Sequence, residues 1–168
     1  MTPAPASDRI VVRRELRPGD EQAIGDLHER IYPAEFGLNA SFCESVRQNI
    51  EAARARGWPG PREAVWLIDG GRELAGSLGL TGEDDHVGRV RWFVLAPELR
   101  GRGLGRSLVT ELIAEARASG YARLELETFS DLATAARIYR AAGFRLLSSD
   151  ERHDWGPPVV FQSYAMEL

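Results

Sequence analysis

The spacing of apolar residues changes period several times along the chain, and each change marks an element. Residues 10–16 read as a first strand, and Arg17-Pro18-Gly19-Asp20 turns the chain. Asp20 is placed to cap a helix whose apolar positions Ile24, Leu27 and Ile31 recur at helical spacing. Ser41-Phe42-Cys43-Glu44 matches a capping box, and Val46, Ile50 and Ala53 continue the helical period. Gly57-Trp58-Pro59-Gly60-Pro61 must be loop. Residues 64–69 and 73–80 form two strands around Asp69-Gly70-Gly71-Arg72, a hairpin signal. A polar loop over residues 81–86 precedes a long strand over residues 87–96, which Pro97 ends.

The second half alternates between the two periods. Leu104, Leu108, Leu112 and Ile113 define a helix that Gly120 stops. In the strand over residues 122–128, Leu124 and Leu126 share one face and Glu125 and Glu127 the other. Ser130 or Asp131 caps a helix through Leu132, Ala136, Ile138 and Tyr139, which stops at Gly143. Strands over residues 144–147 and 159–168 close the chain, with a long loop over residues 150–158 between them. The order β-α-α-β-β-β-α-β-α-β-β describes an α/β domain with a mixed sheet.

Composition narrows the class. The chain has 168 residues, 43% apolar and 27% charged, which suits one soluble domain with its own core. Residues 1–8 carry neither a basic start nor an apolar stretch, so they read as a disordered tail rather than a signal peptide. No apolar run is long enough to cross a membrane. The single cysteine, Cys43, cannot close an internal disulfide and fits a reducing cytoplasm. A net charge of −4 argues against a general nucleic-acid binder. His28, His86 and His153 share no metal-ligand spacing, so no metal is expected. All 21 basic residues are arginine.

One segment carries the chemistry: Val94-Leu95-Ala96-Pro97-Glu98-Leu99-Arg100-Gly101-Arg102-Gly103-Leu104-Gly105-Arg106-Ser107-Leu108. A strand runs into a glycine-rich turn and then a helix. The glycines let backbone approach a ligand, and free N–H groups beside a helix N-terminus make an anion site. Arg100, Arg102 and Arg106 add charge suited to phosphate oxygens. With no lysine the segment is not a Walker loop, and Arg106 stands where a dinucleotide fingerprint counted from Gly101 needs its last glycine.

Arg100-Gly101-Arg102-Gly103-Leu104-Gly105 resembles the acetyl-CoA loop, Arg/Gln-x-x-Gly-x-Gly/Ala, of the GNAT acetyltransferase superfamily. Ala135-Ala136-Arg137-Ile138-Tyr139-Arg140-Ala141-Ala142-Gly143-Phe144 resembles that family's second signature. The element order agrees over residues 10–168. More narrowly, Arg91-Trp92-Phe93-Val94, Thr128-Phe129 and the stretch from Trp155-Gly156 to Gln162 look like the GNAT domains found fused to MarR-type regulators, here without room for the winged-helix half.

The resemblance implies a single GNAT domain over residues 9–168, a mixed, mostly antiparallel sheet of about seven strands with helices on both faces. It implies acetyl-CoA as cosubstrate, with Phe93, Val94 and Leu95 offering strand-like backbone bonds to the pantetheine arm. The amides of Gly101, Arg102, Gly103, Leu104, Gly105 and Arg106 would take the pyrophosphate, with Arg100 beside them. Many relatives place an Asn near the start of the tyrosine helix. This chain reads Ser130-Asp131-Leu132 there, and Ser130 is the best substitute. Tyr139 matches the residue that protonates the leaving thiolate. A phenol near pKa 10 needs help to protonate a thiolate near 8.5. Glu127, or a water relay in its place, would take the amine proton. Two neighbouring carboxylates, Glu125 and Glu127, could perturb each other, or could simply form ion pairs with Arg123 or Arg145 on a solvated edge.

The acceptor would be a primary amine, on a small molecule or a peptide, met by Tyr32, Glu35, Phe36 and Trp155. No nucleic acid or membrane partner is expected, and a homodimer is compatible with the reading. A non-catalytic acyl-CoA sensor is the alternative.

Overall fold

The computed structural model describes residues 10–168, and the expected tail at residues 1–8 lies outside the described residues. Seven strands and four helices follow one another as β1 (Val12–Arg13), α1 (Asp20–Phe36), α2 (Ala40–Ala55), β2 (Ala64–Asp69), β3 (Leu74–Gly82), β4 (Val87–Leu95), α3 (Leu104–Ala118), β5 (Arg123–Phe129), α4 (Ala133–Ala142), β6 (Arg145–Arg152) and β7 (Val159–Glu167). The strands lie in the order β1-β2-β3-β4-β5-β7-β6. Every neighbouring pair is antiparallel except β4 and β5, which run parallel. This is the mostly antiparallel sheet expected. β2 and β3 are buried at successive residues, hence on both faces, as an apolar run without alternation requires.

Local signals misplaced three caps and two strands. Asp20 does not cap α1: Gly19 holds that position with a positive φ of 90° and no side-chain bond. Asp20 instead accepts the Arg17 amide at 2.6 Å and pairs with Arg13 at 2.8 Å. Burial would raise its carboxyl, but Arg13 and that amide outweigh burial and hold it below its ordinary value. The cap of α2 is Asn39, whose Oδ1 accepts the Phe42 amide at 3.2 Å, so Ser41 falls inside the helix. Neither Ser130 nor Asp131 caps α4, which begins after Leu132 with no side-chain bond. β1 is two residues long, not seven. β6 runs on to Arg152, through part of the expected loop, because its ladder to β7 and not apolar burial holds it: all eight of its residues are exposed.

One irregularity shapes the sheet. Between β3 and β4 the register passes from Gly79 opposite Arg91 to Ser77 opposite Val94, so β4 carries one extra residue. Trp92 takes the strain with a φ of +49°, a left-handed conformation that costs a non-glycine residue about 1–2 kcal/mol. Packing offsets that cost. The Trp92 ring meets Trp58 edge-on at 4.8 Å between centroids, and the Ser77 hydroxyl donates to the Trp92 carbonyl at 2.6 Å. Trp58 is itself held by its indole N–H, which donates to the Leu80 carbonyl at 3.0 Å. Gly79 makes the space: a Cβ there would lie 2.8 Å from the Trp92 ring and 3.2 Å from the Trp58 ring.

Gly79→Ala should therefore destabilise the fold by about 1–3 kcal/mol, read as a lower urea midpoint with an unchanged slope. An unaltered midpoint would show that the indole pair does not support the bulge.

Candidate active site

β4 and β5 pair only from Val87–Arg89 against Arg123–Glu125 and then separate. The fork between them opens into a cleft of about 990 Å³. The extra residue at Trp92 turns β4 just past the point where pairing ends. Phe93, Val94 and Leu95 therefore line the cleft instead of bonding to β5.

The glycine turn stands at one end. Gly101 and Gly103 have φ of +74° and +76°, and a Cβ at either would meet nothing within 4 Å. The positive φ is what requires glycine at both positions. Gly103 is the N-cap of α3 and offers no side-chain bond, so the amides of the first turn keep no side-chain cap. Gly105 packs tightly instead: its Cβ would lie 3.2 Å from Ile138 and 3.4 Å from Phe93. Gly101, Gly103, Leu104, Gly105 and Arg106 line the cleft, whereas Arg102 and Ser130 do not. The Ser130 hydroxyl meets the Asp131 carboxylate at 3.5 Å, and Asp131 is the one of the two that lines the cleft.

Arg100 also lines the cleft, but a carboxylate already occupies its guanidinium. Its two terminal nitrogens donate to Glu35 at 2.7 and 2.9 Å, and its Nε donates to the Leu95 carbonyl at 2.9 Å. This fork-to-fork pair ties the last turn of α1 to the start of the glycine turn. It holds Glu35 below the ordinary carboxylate range, since hydrogen bonding to Arg100 outweighs burial.

Tyr139 is buried on α4, its ring 6.2 Å from Phe93, 5.8 Å from Phe144 and 6.3 Å from Tyr164. It lines the cleft. Burial pushes the phenol well above its ordinary value, and the nearby Tyr32 adds to this. Glu127 lines the cleft from β5, with its carboxylate 3.6 Å from Arg89. Arg89 also reaches Glu125 at 3.3 Å and Glu83 at 2.9 Å. A guanidinium thus bridges the Glu125 and Glu127 pair, and Arg123 also holds Glu125 at 2.9 Å; of the two ion-pair partners expected, Arg123 is found, while Arg89 stands where Arg145 was expected.

The other half of the cleft is aromatic. Tyr32 and Phe36 of α1 and Trp155 line it, as expected, together with Phe42, Phe129 and Phe161. The rings interlock: Phe42 lies 5.1 Å from Tyr32 and 5.3 Å from Trp155, and Phe129 lies 5.8 Å from Trp155. Burial pushes the Tyr32 phenol up to about 12. Beneath it His28 stacks on Tyr32 at 5.5 Å and bonds through Nδ1 to the Ile24 carbonyl at 2.8 Å, so Nδ1 carries the proton. Phe42 and Phe129 escaped the sequence reading because each sits at an element end, one beside a cap and one at the close of a strand. Among the described residues no cluster of three or more His, Cys, Asp or Glu side chains could hold a metal, and no helix is long and apolar enough to cross a membrane.

Comparison with solved structures defines the class: the fold is that of acetyltransferases. An acetyltransferase of the GNAT family from Staphylococcus aureus superposes with a TM-score of 0.72 at 18% identity, covering 95% of this chain and 99% of that one. The yncA protein of Salmonella typhimurium, solved with its cofactor acetyl-CoA, gives a TM-score of 0.70 at 17% identity over 96% of this chain and 95% of that one. The chain belongs to the acetyltransferase (GNAT) family, whose profile matches residues 23–144. The uncharacterized N-acetyltransferase YjgM of Escherichia coli is 29% identical over 136 residues, 79% of this chain and 81% of that protein. An uncharacterized N-acetyltransferase of Schizosaccharomyces pombe is 30% identical over 142 residues, 80% of this chain and 82% of that protein.

His28 predicts a pH dependence of stability. Burial pushes its folded-state value down to about 4 from 6.5. Above pH 6.5 neither state binds the proton, so nothing is lost. As pH falls below 6.5 the unfolded chain takes a proton that the folded one refuses, down to about pH 4. This component of stability, about 3 kcal/mol, is therefore lost across that window. His28→Gln should flatten that part of the unfolding free energy against pH, measured by denaturant titration. Parallel curves for the two proteins would refute the assignment.

Proposed function

We propose that this chain is an acetyl-CoA-dependent N-acetyltransferase, moving an acetyl group directly to a primary amine of a small molecule or peptide through a tetrahedral intermediate. The observation that carries the reading is the open glycine turn at Gly101 and Gly103, set at the mouth of the β4–β5 fork with Tyr139 on its wall. The first-turn amides of α3 and the exposed Arg106 suit a pyrophosphate. The unpaired edge at Phe93, Val94 and Leu95 suits the backbone of a pantetheine arm. A bound acetyl-CoA supplies the activated thioester, and the residues supply positioning and proton transfer.

Arg100 acts in this reading first as a strut, because three of its five N–H groups are committed to Glu35 and the Leu95 carbonyl and its charge is already paired with Glu35. Glu35 consequently leaves the set of acceptor-binding residues, while Tyr32, Phe36 and Trp155 stay in it. Arg102 and Ser130 contribute at most backbone. Tyr139 donates the proton to the leaving thiolate, its phenol being kept protonated by burial. Glu127, or a water beside it, takes the amine proton. The reading extends to residues 9–168 as one N-acetyltransferase domain acting in the cytoplasm. A kinship with the GNAT domains fused to MarR-type regulators is supported by Trp92 at the bulge and by Phe129 and Trp155 in the cleft.

One observation favours a second reading, a sensor that binds acyl-CoA without turnover: the same burial that keeps Tyr139 protonated makes it a weaker acid.

Acetyl-CoA at one hundred times its Kd should stabilise the protein by about 2.7 kcal/mol, seen as a rise in Tm. Gly103→Glu should abolish that rise by placing bulk and negative charge at the turn. An undiminished rise in the folded variant would overturn the loop assignment. With an amine panel and free thiol as readout, Tyr139→Phe should lower kcat about 100-fold at nearly unchanged acetyl-CoA affinity. Binding without thiol release by the wild type would establish the sensor, and wild-type kcat in the variant would remove Tyr139 as proton donor. Glu127→Gln should lower kcat/KM if Glu127 is the base, and a wild-type rate would leave a water relay.

A further inference from the structure

Five arginines line the cleft: Arg89, Arg91, Arg100, Arg106 and Arg152. Three already have carboxylates. Arg89 holds Glu83, Glu125 and Glu127; Arg100 holds Glu35; Arg152 reaches Asp154 at 4.0 Å. Arg106 is exposed on the first turn of α3, beside the glycine turn. Arg91 is the exception: half-buried in the cleft, it has no ion pair or hydrogen bond among the described residues. Its nitrogens are open to the cleft, since no fully buried side-chain nitrogen among the described residues lacks a partner, and a half-buried guanidinium facing a cleft is matched by an anionic ligand.

Its position says which ligand group that would be. Arg91 stands on β4 one residue before the bulge, opposite Gly79, where the fork opens. That is the inner end of the cleft, away from the glycine turn that follows β4. Glu127 lines the same cleft, and its charge is among those felt by Arg91; burial and Arg89 work against the Arg91 charge, while Glu127 and Glu83 support it. A cation and a carboxylate held together in this way complement a ligand that carries an amine and an anion on neighbouring atoms. The same cleft is also lined by the wall of Tyr32, Phe42, Phe129, Trp155 and Phe161, which suits a large apolar substituent.

We propose that the acceptor is an α-amino acid with a large apolar or aromatic side chain, whose carboxylate pairs with Arg91 while its amine faces Glu127 and its side chain meets the aromatic wall. This rests on the N-acetyltransferase reading and names its substrate class. In the reaction the neutral amine attacks the thioester carbonyl, the new C–N bond gives the tetrahedral intermediate, the amine proton leaves to Glu127 or water, and collapse of the intermediate breaks the C–S bond. The thiolate takes a proton from Tyr139. Arg91 takes no part in these bond changes and fixes the amine in place.

The test is a matched pair that differs only in the carboxylate: phenylalanine against 2-phenylethylamine, with acetyl-CoA and free thiol as the readout. The wild type should prefer phenylalanine by about 30-fold or more in kcat/KM, as expected for one charge-assisted pair in a partly dry site. Arg91→Gln should raise KM for phenylalanine by a similar factor, change KM for 2-phenylethylamine far less, and keep the acetyl-CoA Tm rise. Arg91→Lys should recover part of the loss. The wild-type comparison needs no variant, so a poorly folded Arg91→Gln does not spoil it. Equal use of the two amines, or equal losses on both in the variant, would overturn the role of Arg91. Aspartate outperforming phenylalanine would overturn the role of the aromatic wall. Transfer to 2-phenylethylamine alone overturns the carboxylate pairing and leaves acetyl transfer standing. Transfer to neither, with acetyl-CoA still raising Tm, overturns both.

Discussion

The extra residue in β4 is the constraint from which the site follows. Without it β4 would keep its register with β3 and could continue alongside β5, and the fork would close. A tryptophan in left-handed backbone does not hold itself there. It is held because Gly79 leaves the space, Trp58 fills the far side and Ser77 ties down the carbonyl. Strain kept in place by surrounding packing is a common feature of functional sites, and here it runs from the observed outlier to the cleft beside it. The residues that maintain the opening are not those that would meet a ligand.

Burial divides the cleft into two chemistries. The glycine turn is open: a Cβ at Gly101 or Gly103 would meet nothing within 4 Å. The aromatic half is dry enough to keep His28 neutral and both Tyr32 and Tyr139 protonated. The Arg100–Glu35 pair spans the two halves and joins α1, which carries much of the aromatic wall, to the turn that follows β4. Proton traffic in such a site falls to the few groups still in touch with water, among them Glu127.

Much of this was legible in the chain. The glycine turn and the tyrosine helix were visible because their chemistry is local: positive φ needs glycine, and a helical period needs only one turn of sequence. The β2, β4 and α3 boundaries followed from apolar runs ended by proline or glycine. What escaped was set at long range. Asp20 has the side chain of a cap, but the Arg13 guanidinium, itself held by Asp69, 56 residues further on, captured it. Arg100 reads as a phosphate ligand until Glu35, 65 residues earlier, is seen to hold it. Phe42, Phe129 and Phe161 come from three separated segments and form a wall only in the folded chain. Arg91 was quoted within a motif, and its lack of a partner is a property of the structure alone.

The sheet ends differently at its two sides. At one edge β1 is only two residues long, too short to template another strand. At the other, β6 presents eight exposed residues and an unshared row of backbone donors and acceptors. An open strand of that length invites growth by addition of further chains. Asp150, Glu151 and Arg152 occupy its outer stretch, so an incoming strand would have to strip water from fixed charges there. Leu146 and Leu147, the apolar stretch that lacks this protection, lie next to Arg145 and the turn at Gly143, which shortens the uncharged run to a few residues. Charge at both ends of β6 thus confines any strand addition along this long free edge to its short uncharged middle.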